Sequence, residues 1–212
     1  MKLAVAALLA ATACSSKRPP PPGDDPAAVH ALADRAVIKQ GPIGAGQATP
    51  GTYVLVDVEN PSPTDRLVTL GGSLLDGENR PVSRLLPDEL RIPTRGTRTF
   101  ALVADAPALT ATHASFKVEN AVTVDYDPPV ILEDPQVKLG DLAVIAAKVK
   151  NTVDKECTAV VAATFYGKDG AILTRPFTIV PLPGSASRPV RFEGPKETAR
   201  AEVFIGQVAF HP

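Results

Sequence analysis

The segment YVLVDVENPSPTDRLVTLGGSLLDGENRPV (residues 53–82) recurs without gaps as VIAAKVKNTVDKECTAVVAATFYGKDGAIL (residues 144–173), at an offset of 91 residues. Each copy opens with three apolar residues at alternate positions and then an asparagine: Val54, Val56, Val58 and Asn60, and Ile145, Ala147, Val149 and Asn151. Alternate side chains of a β-strand point to opposite faces, so each copy predicts a strand with an apolar inner face that ends where the chain turns.

Two outward-facing positions in each copy carry charges. They are Asp57 and Glu59 in the first copy and Lys148 and Lys150 in the second. An antiparallel sheet that packs on one face commonly exposes such residues on the other. We therefore expect solvated outer faces that have opposite signs at equivalent positions.

A second strand follows in each copy, predicted over Leu67–Leu75 and Cys157–Tyr166. The inward positions are Val68, Leu70, Gly72 and Leu74 in the first, and Ala159, Val161, Ala163 and Phe165 in the second. An Asp-Gly pair comes next, at 76–77 and 169–170, and favours a hairpin turn with positive φ at both residues. These pairs are displaced by two residues, so we expect loops of different shape. The openings VIKQGP and VILEDP also align Val37 with Val130.

Short strands at regular spacing, separated by turn signals and present twice, are typical of β-sandwiches. Proline, at 22 of 212 residues, also favours turns and loops over long helices. We predict an all-β fold with two tandem antiparallel immunoglobulin-like β-sandwiches, over residues 34–127 and 128–212. Residues 1–13 are interpreted as a signal peptide and residues 14–33 as a Pro-rich tether, with a short helix over Pro26–Arg35 capped by Asp25.

The stretch TFYGKDG, at the end of the second copy, resembles the bacterial FxLYD family of small β-sandwich domains. Tyr166 and the pair Asp169-Gly170 match its motif, and the first copy keeps Leu74 and Asp76. The resemblance covers two stretches of about 45 residues. It implies an immunoglobulin-like sandwich in an envelope protein, and such sandwiches host many unrelated functions.

The N-terminus has the layout of an export signal: Lys2, a short apolar run over Leu3–Ala11, and small residues before Cys14. The run is much shorter than the roughly 20 residues that cross a bilayer. The tetrapeptide Ala11-Thr12-Ala13-Cys14 resembles a bacterial lipoprotein signal. That resemblance implies a diacylglycerol thioether on Cys14, a mature N-terminus at this residue and, with Ser15 following, the outer membrane. The alternative is an ordinary secretory signal with an incidental cysteine.

Charge and cysteine content narrow the classes of function. A formal net charge of −1 argues against nucleic acid, which requires a basic surface. With Cys14 lipidated, Cys157 has no disulfide partner. Its parity with Val161 predicts an inert side chain at the edge of the second core, whereas Lys155 and Glu156 beside it suggest an exposed, reactive thiol as the alternative.

The sequence contains few residues in a pattern that suggests chemistry. His30, His113 and His211 are scattered, no serine-nucleophile or zinc motif is present, and GPIGAG (residues 41–46) lacks the ending of a phosphate-binding loop. The joint between the copies is acidic, with Asp125, Asp127, Glu133 and Asp134. Carboxylates of this kind suit calcium, but the tight Gly or Asn turn of calcium-binding loops is missing, which favours a solvated, Pro-stiffened linker.

These observations predict no catalytic residue, no cofactor and no metal, and a single modification site at Cys14. The expected function is that of a non-enzymatic, lipid-anchored envelope protein that binds another envelope protein or acts as a spacer or scaffold. The alternative is a surface adhesin or carbohydrate-binding module, which usually presents an aromatic platform. An enzyme is the third class, and the absence of a convergent acid, base and nucleophile in the sequence counts against it.

Overall fold

The structure is a computed structural model that describes residues 28–41 and 51–211. The signal segment, Cys14, the Pro-rich tether and most of the GPIGAG segment lie outside these residues. Among the described residues, no helix has the length and hydrophobicity needed to cross a bilayer.

Antiparallel strands make up most of the described chain. Their bounds are β1 His30–Ala31, β2 Val37–Gly41, β3 Gly51–Glu59, β4 Asp65–Leu75, β5 Pro81–Ile92, β6 Thr97–Val103, β7 His113–Val124, β8 Val130–Lys138, β9 Ala143–Asn151, β10 Cys157–Tyr166, β11 Ile172–Thr174, β12 Phe177–Leu182, β13 Ser187–Gly194 and β14 Arg200–Phe210. A single 3-10 turn, Ala33–Arg35, lies between β1 and β2.

The strands form four sheets, and each sheet takes its strands from one side of residues 125–129. In the N-terminal half (β1–β7), β3 pairs with β1, β2 and β6, and β4 pairs with β5 and β7. In the C-terminal half (β8–β14), β9 pairs with β8 and β13, and β10 pairs with β11, β12 and β14. The all-β antiparallel sandwich class is therefore confirmed. The division into domains at 34–127 and 128–212 stays a prediction.

The internal repeat extends to the strand register. Val54 of β3 stands opposite Leu102 of β6, and the corresponding residues of the second copy, Ile145 and Phe192, also stand opposite each other. The β4–β5 and β10–β12 ladders agree in the same way, with Arg66 opposite Ile92 and Cys157 opposite Leu182. Both halves therefore pair their strands according to one plan.

The predicted inner faces are buried at nearly every position. Completely buried are Val54, Val56, Val58, Val68, Leu70, Leu74, Ile145, Val149, Ala159, Val161, Ala163 and Phe165. Gly72 is the exception, being only partly buried, because the register of β4 shifts between Leu70 and Gly72 and buries Gly71 instead.

The hairpin loops after β4 and β10 correct one prediction, because they have the same shape. Equivalent backbone hydrogen bonds close them: Asp76 N–H to Arg80 O (3.0 Å) and Asn79 N–H to Asp76 O (3.1 Å), and Gly167 N–H to Ala171 O (2.9 Å) and Gly170 N–H to Gly167 O (3.1 Å). The positive φ falls on Asn79 (62°) and Gly170 (80°), not on Gly77. Asparagine tolerates this conformation, so both copies form the same loop although their Asp-Gly pairs lie at different positions within it.

The start of the chain corrects two further predictions. Residues 28–35 form β1 and the 3-10 turn, so the helix over Pro26–Arg35 is wrong for its described part. The alignment of Val37 with Val130 is also wrong. Val130 stands opposite Asn151, whereas His30 stands opposite Glu59, which makes the buried Val29 the counterpart of Val130. The N-terminal half has a 3-10 turn at this point of the fold, whereas the C-terminal half has a bulge at Asp134-Pro135. These two irregularities displace the sequences that follow them relative to each other, so equal sequence letters do not mark equal positions.

A buried asparagine joins two loops at one corner of each half. The Nδ2 of Asn60 donates to the carbonyl oxygens of Thr64 (2.8 Å), Ile92 (3.3 Å) and Pro93 (3.1 Å). The Nδ2 of Asn151 donates to the equivalent carbonyls of Lys155 (2.8 Å), Leu182 (3.4 Å) and Pro183 (3.1 Å). The side-chain oxygens accept the N–H groups of Ser62 and Val153. Each amide therefore holds the turn after β3 or β9 against the loop before β6 or β13.

We expect Asn60→Ala and Asn151→Ala each to lower the free energy of unfolding by roughly 2–3 kcal/mol, because the substitution leaves buried carbonyls without a donor. Asn120→Ala, on the exposed face of β7, is the matched control and should change it by less than about 0.5 kcal/mol. Urea denaturation of the full chain measures all three. Equal effects at Asn60 and Asn120 would show that the corner contributes nothing.

Candidate functional site

The outer faces of β3 and β10 pack against each other, so the two halves share a contact. Leu55, Tyr166 and Ile172 form a buried apolar cluster that includes residues from both halves. Ala162 and Phe204, from the C-terminal half, also belong to the core cluster of the N-terminal half. The contact between the halves is therefore a continuation of the core.

A polar cluster is enclosed in this contact. The Thr99 hydroxyl donates to Asp57 Oδ1 at 2.6 Å, the Tyr166 hydroxyl donates to the same oxygen at 3.1 Å, and the two hydroxyl oxygens are 2.8 Å apart. Burial raises the pKa of Tyr166, and the neighbouring Asp57 charge raises it further. The phenol therefore stays protonated and keeps donating to the carboxylate.

Asp57 corrects the predicted charged outer faces. Its side chain does point away from Val56 and Val58, but it is only 4% exposed because the C-terminal half covers it. Glu59 and Lys148 are exposed as expected, and Lys150 is partly exposed. The predicted direction of the Asp57 side chain was correct. The alternation of apolar and charged residues along β3 does not show that the C-terminal half covers this face.

Arginines surround the apolar part of the contact. The guanidinium carbons of Arg98 and Arg175 lie 5.1 Å and 5.4 Å from the centre of the Phe204 ring, and that of Arg200 lies 3.9 Å from the Tyr166 ring. Burial lowers the pKa of Arg98 and of Arg175. Such cation–π contacts stabilise a charge that has lost water.

Clefts open between the halves, and two of them combine apolar and polar side chains in a way that suits a ligand. The first has a volume of about 500 Å³ and is lined by Asp88 and Arg175 among mostly apolar side chains. The second, at the joint, has a volume of about 460 Å³ and includes Tyr126 and Phe210, which are 60% and 40% exposed. Arg91 lies over the Tyr126 ring at 5.6 Å and donates to its carbonyl oxygen at 3.0 Å.

The three histidines are in separate hydrogen-bond settings. His113 contacts Asn79 (2.9 Å) and Thr112 (3.0 Å), His211 contacts Thr158 (2.8 Å), and His30 is exposed on β1. The structure does not bring them together with one another.

Cys157 is fully buried in the C-terminal core, as its parity predicts. Burial raises the pKa of its thiol, and the charge of Glu156 raises it further. The thiol is therefore protonated near neutral pH and shielded from reagents, which contradicts the alternative of an exposed, reactive group.

The acidic joint does not converge on one point. Glu133 forms an ion pair with Lys150 (2.9 Å) and Asp134 with Lys148 (3.9 Å). Within residues 28–41 and 51–211, no three His, Cys, Asp or Glu side chains are grouped so that they could hold a metal ion. The carboxylates of β8 thus neutralise the lysines of β9.

The contact between the halves was missed by sequence reasoning, although a signal for it exists. β10 reads CTAVVAATFY, which carries no charge and has apolar residues at both parities, broken only by two threonines. Such nearly continuous apolar runs are typical of strands buried on both faces. Asp88 and Arg175 carry no comparable signal, because nothing local places them on facing walls.

Comparisons with known proteins add little to this description. No family model matches the chain, and no curated protein does. Among solved structures, red sea bream transglutaminase is similar over 81% of this chain and 29% of its own length, with 14% identity and a TM-score of 0.26. The chain thus spans less than a third of that protein, and at this TM-score the likeness supports no statement about activity.

We expect Tyr166→Phe to lower the free energy of unfolding by about 2 kcal/mol, because the hydroxyl's hydrogen bond to a buried carboxylate is lost. Tyr126→Phe removes the same hydroxyl from an exposed ring and serves as the control, with a change below about 0.5 kcal/mol. Denaturation of the full chain gives both values. A Tyr166→Phe protein as stable as the control would mean that the cluster does not hold the halves together.

Proposed function

We propose that this chain is a non-enzymatic, lipid-anchored protein of the bacterial cell envelope whose β-sandwich body binds another envelope protein or acts as a spacer. The observation that carries the proposal is the run of small residues before Cys14, followed by the Pro-rich segment. Several acyl chains, at about 0.8 kcal/mol per buried CH₂, would hold the chain at a membrane. Ser15 after the cysteine favours the outer membrane.

The buried polar groups support a structural role over a catalytic one. Asp57, Thr99 and Tyr166 are the kind of side chains that an active site uses, but all three are closed to solvent and bonded to one another. A substrate cannot reach them without separating the halves. Their arrangement supports a rigid body that presents surfaces.

The tip of the β8–β9 hairpin is the surface that we propose for a protein partner. Val137, Leu139 and Leu142 are 47%, 45% and 47% exposed within a stretch of six residues. Large apolar side chains grouped in this way are typical of interaction sites. The hairpin belongs to the C-terminal half, which follows the tether and the N-terminal half along the chain.

The joint cleft favours a second candidate function, that of a carbohydrate-binding module. Tyr126 and Phe210 present exposed rings there, together with the polar side chains of Glu89, Arg91 and Gln207. Aromatic faces with a few polar groups at their edge suit the apolar face and hydroxyls of a sugar. Loss of glycan retention in Tyr126→Ala would favour this candidate.

The anchor is tested by Cys14→Ser in the producing cell. We expect this protein to leave the membrane fraction or to remain unprocessed, since the only thiol for the thioether is gone. Cys157→Ala is the matched control and should stay in the membrane fraction. Mass spectrometry of the wild-type N-terminus gives an independent readout, and an unmodified N-terminus would disprove the anchor.

The partner surface is tested by chemical cross-linking on intact cells. We expect the double variant Leu139→Asp with Leu142→Asp to lose the cross-linked species, because two charges cannot be buried in an apolar contact. Leu109→Asp, at a residue 81% exposed in the N-terminal half, is the control and should keep them. Identical cross-links in all three proteins would exclude the hairpin tip as the binding surface.

A further inference from the structure

The larger cleft arises where one strand in each half is interrupted. β5 loses its regular pairing with β4 between Leu85 and Asp88, at Leu86-Pro87, and in the other half Arg175-Pro176 separates β11 from β12. Proline lacks the N–H that a ladder needs, so both ladders break at this point. Residues of both breaks line the same cleft.

The two breaks bring opposite charges to the cleft. Asp88 comes from the N-terminal half, and its carboxylate accepts the backbone N–H groups of Glu89 (2.9 Å) and Ala101. Arg175 comes from the C-terminal half, and its Nε is buried without a hydrogen-bond partner. The two side chains influence each other electrostatically but form no ion pair.

This arrangement leaves an unmet requirement. A buried guanidinium nitrogen without an acceptor costs free energy, and each such group in a folded protein calls for an explanation. The Arg175 side chain also lines the cleft, where a ligand carboxylate would meet its guanidinium, and a planar guanidinium matches a carboxylate best. A ligand with only a negative charge would, however, also face Asp88. A ligand with both an anionic and an N–H group would complement both walls.

The remaining lining is apolar. Leu86, Leu90, Val160 and Phe177 provide aliphatic and aromatic surface around the charged pair. The volume of about 500 Å³ lies within the range of roughly 300–1,000 Å³ that is usual for small-ligand sites. An apolar body next to a pair of opposite charges is the chemistry of a hydrophobic amino acid.

We propose that the cleft between the two halves binds a hydrophobic α-amino acid, with its carboxylate on Arg175, its ammonium group on Asp88 and its side chain among the apolar residues. The site would give the protein a small-molecule ligand in addition to its proposed envelope role. It depends neither on the lipid at Cys14 nor on the hairpin tip.

Isothermal titration of the full chain with three related compounds tests the proposal. L-leucine carries both charges, 4-methylpentanoate lacks the ammonium group, and 3-methylbutylamine lacks the carboxylate. We expect L-leucine to bind at least tenfold more tightly than either analogue. No saturable binding of L-leucine, or equal affinity for 4-methylpentanoate, would overturn the proposal.

Variants assign the two charges to their partners. Arg175→Met should weaken L-leucine binding at least tenfold, whereas Arg188→Met, at an exposed arginine, should leave it unchanged. Asp88→Asn should weaken L-leucine but not 4-methylpentanoate, because only the zwitterion has an ammonium group to lose. If Arg175→Met does not fold, the compound series and Asp88→Asn still decide. Unchanged L-leucine affinity in a folded Arg175→Met protein or in Asp88→Asn would overturn the assignment.

Discussion

The buried side-chain amide of Asn60, and of Asn151 in the second copy, is the constraint on which both halves depend. Each amide donates to three carbonyl oxygens in two separate loops. These bonds fix the end of β3 or β9 against the loop before β6 or β13. A strand that slips by one residue exchanges its two faces, so a fixed corner also fixes which residues enter the core. The equal register of the two copies follows from this shared corner.

The contact between the halves is built on outer faces that a single sandwich would expose. β3 and β10 each bury both of their faces, and the polar groups enclosed between them satisfy one another through Asp57, Thr99 and Tyr166. A buried carboxylate with hydroxyl donors is stable, whereas the same carboxylate without them would be costly. The cluster therefore favours one arrangement of the halves, since separating them removes one of the donors to Asp57.

The sequence predicted the elements that depend on local pattern and missed those that depend on distant contacts. The alternation in residues 53–60 and 144–151 identified the strands and their inner faces correctly, and the parity of Cys157 placed it inside. The Asp-Gly pairs gave a wrong prediction of loop shape. The loop requires positive φ at one equivalent position, which is Asn79 in the first copy and Gly170 in the second, and not at both residues of each pair. The burial of Asp57 and the facing positions of Asp88 and Arg175 depend on how two halves pack, and alternation along one strand contains no such information.

The internal repeat also explains why a cleft lies between the halves. A repeated sequence places the interruption of β5 and that of β11–β12 at equivalent points of the two halves, where neither ladder can close. When the outer faces pack, these interruptions meet and leave a space that no strand fills. The two charges there are not counterparts in the repeat, because Asp88 stands opposite Leu70 whereas Thr178 stands opposite the equivalent Val161. Two matching interruptions of the ladders, each with its own charged neighbour, therefore give the packed halves a cleft that neither half has alone.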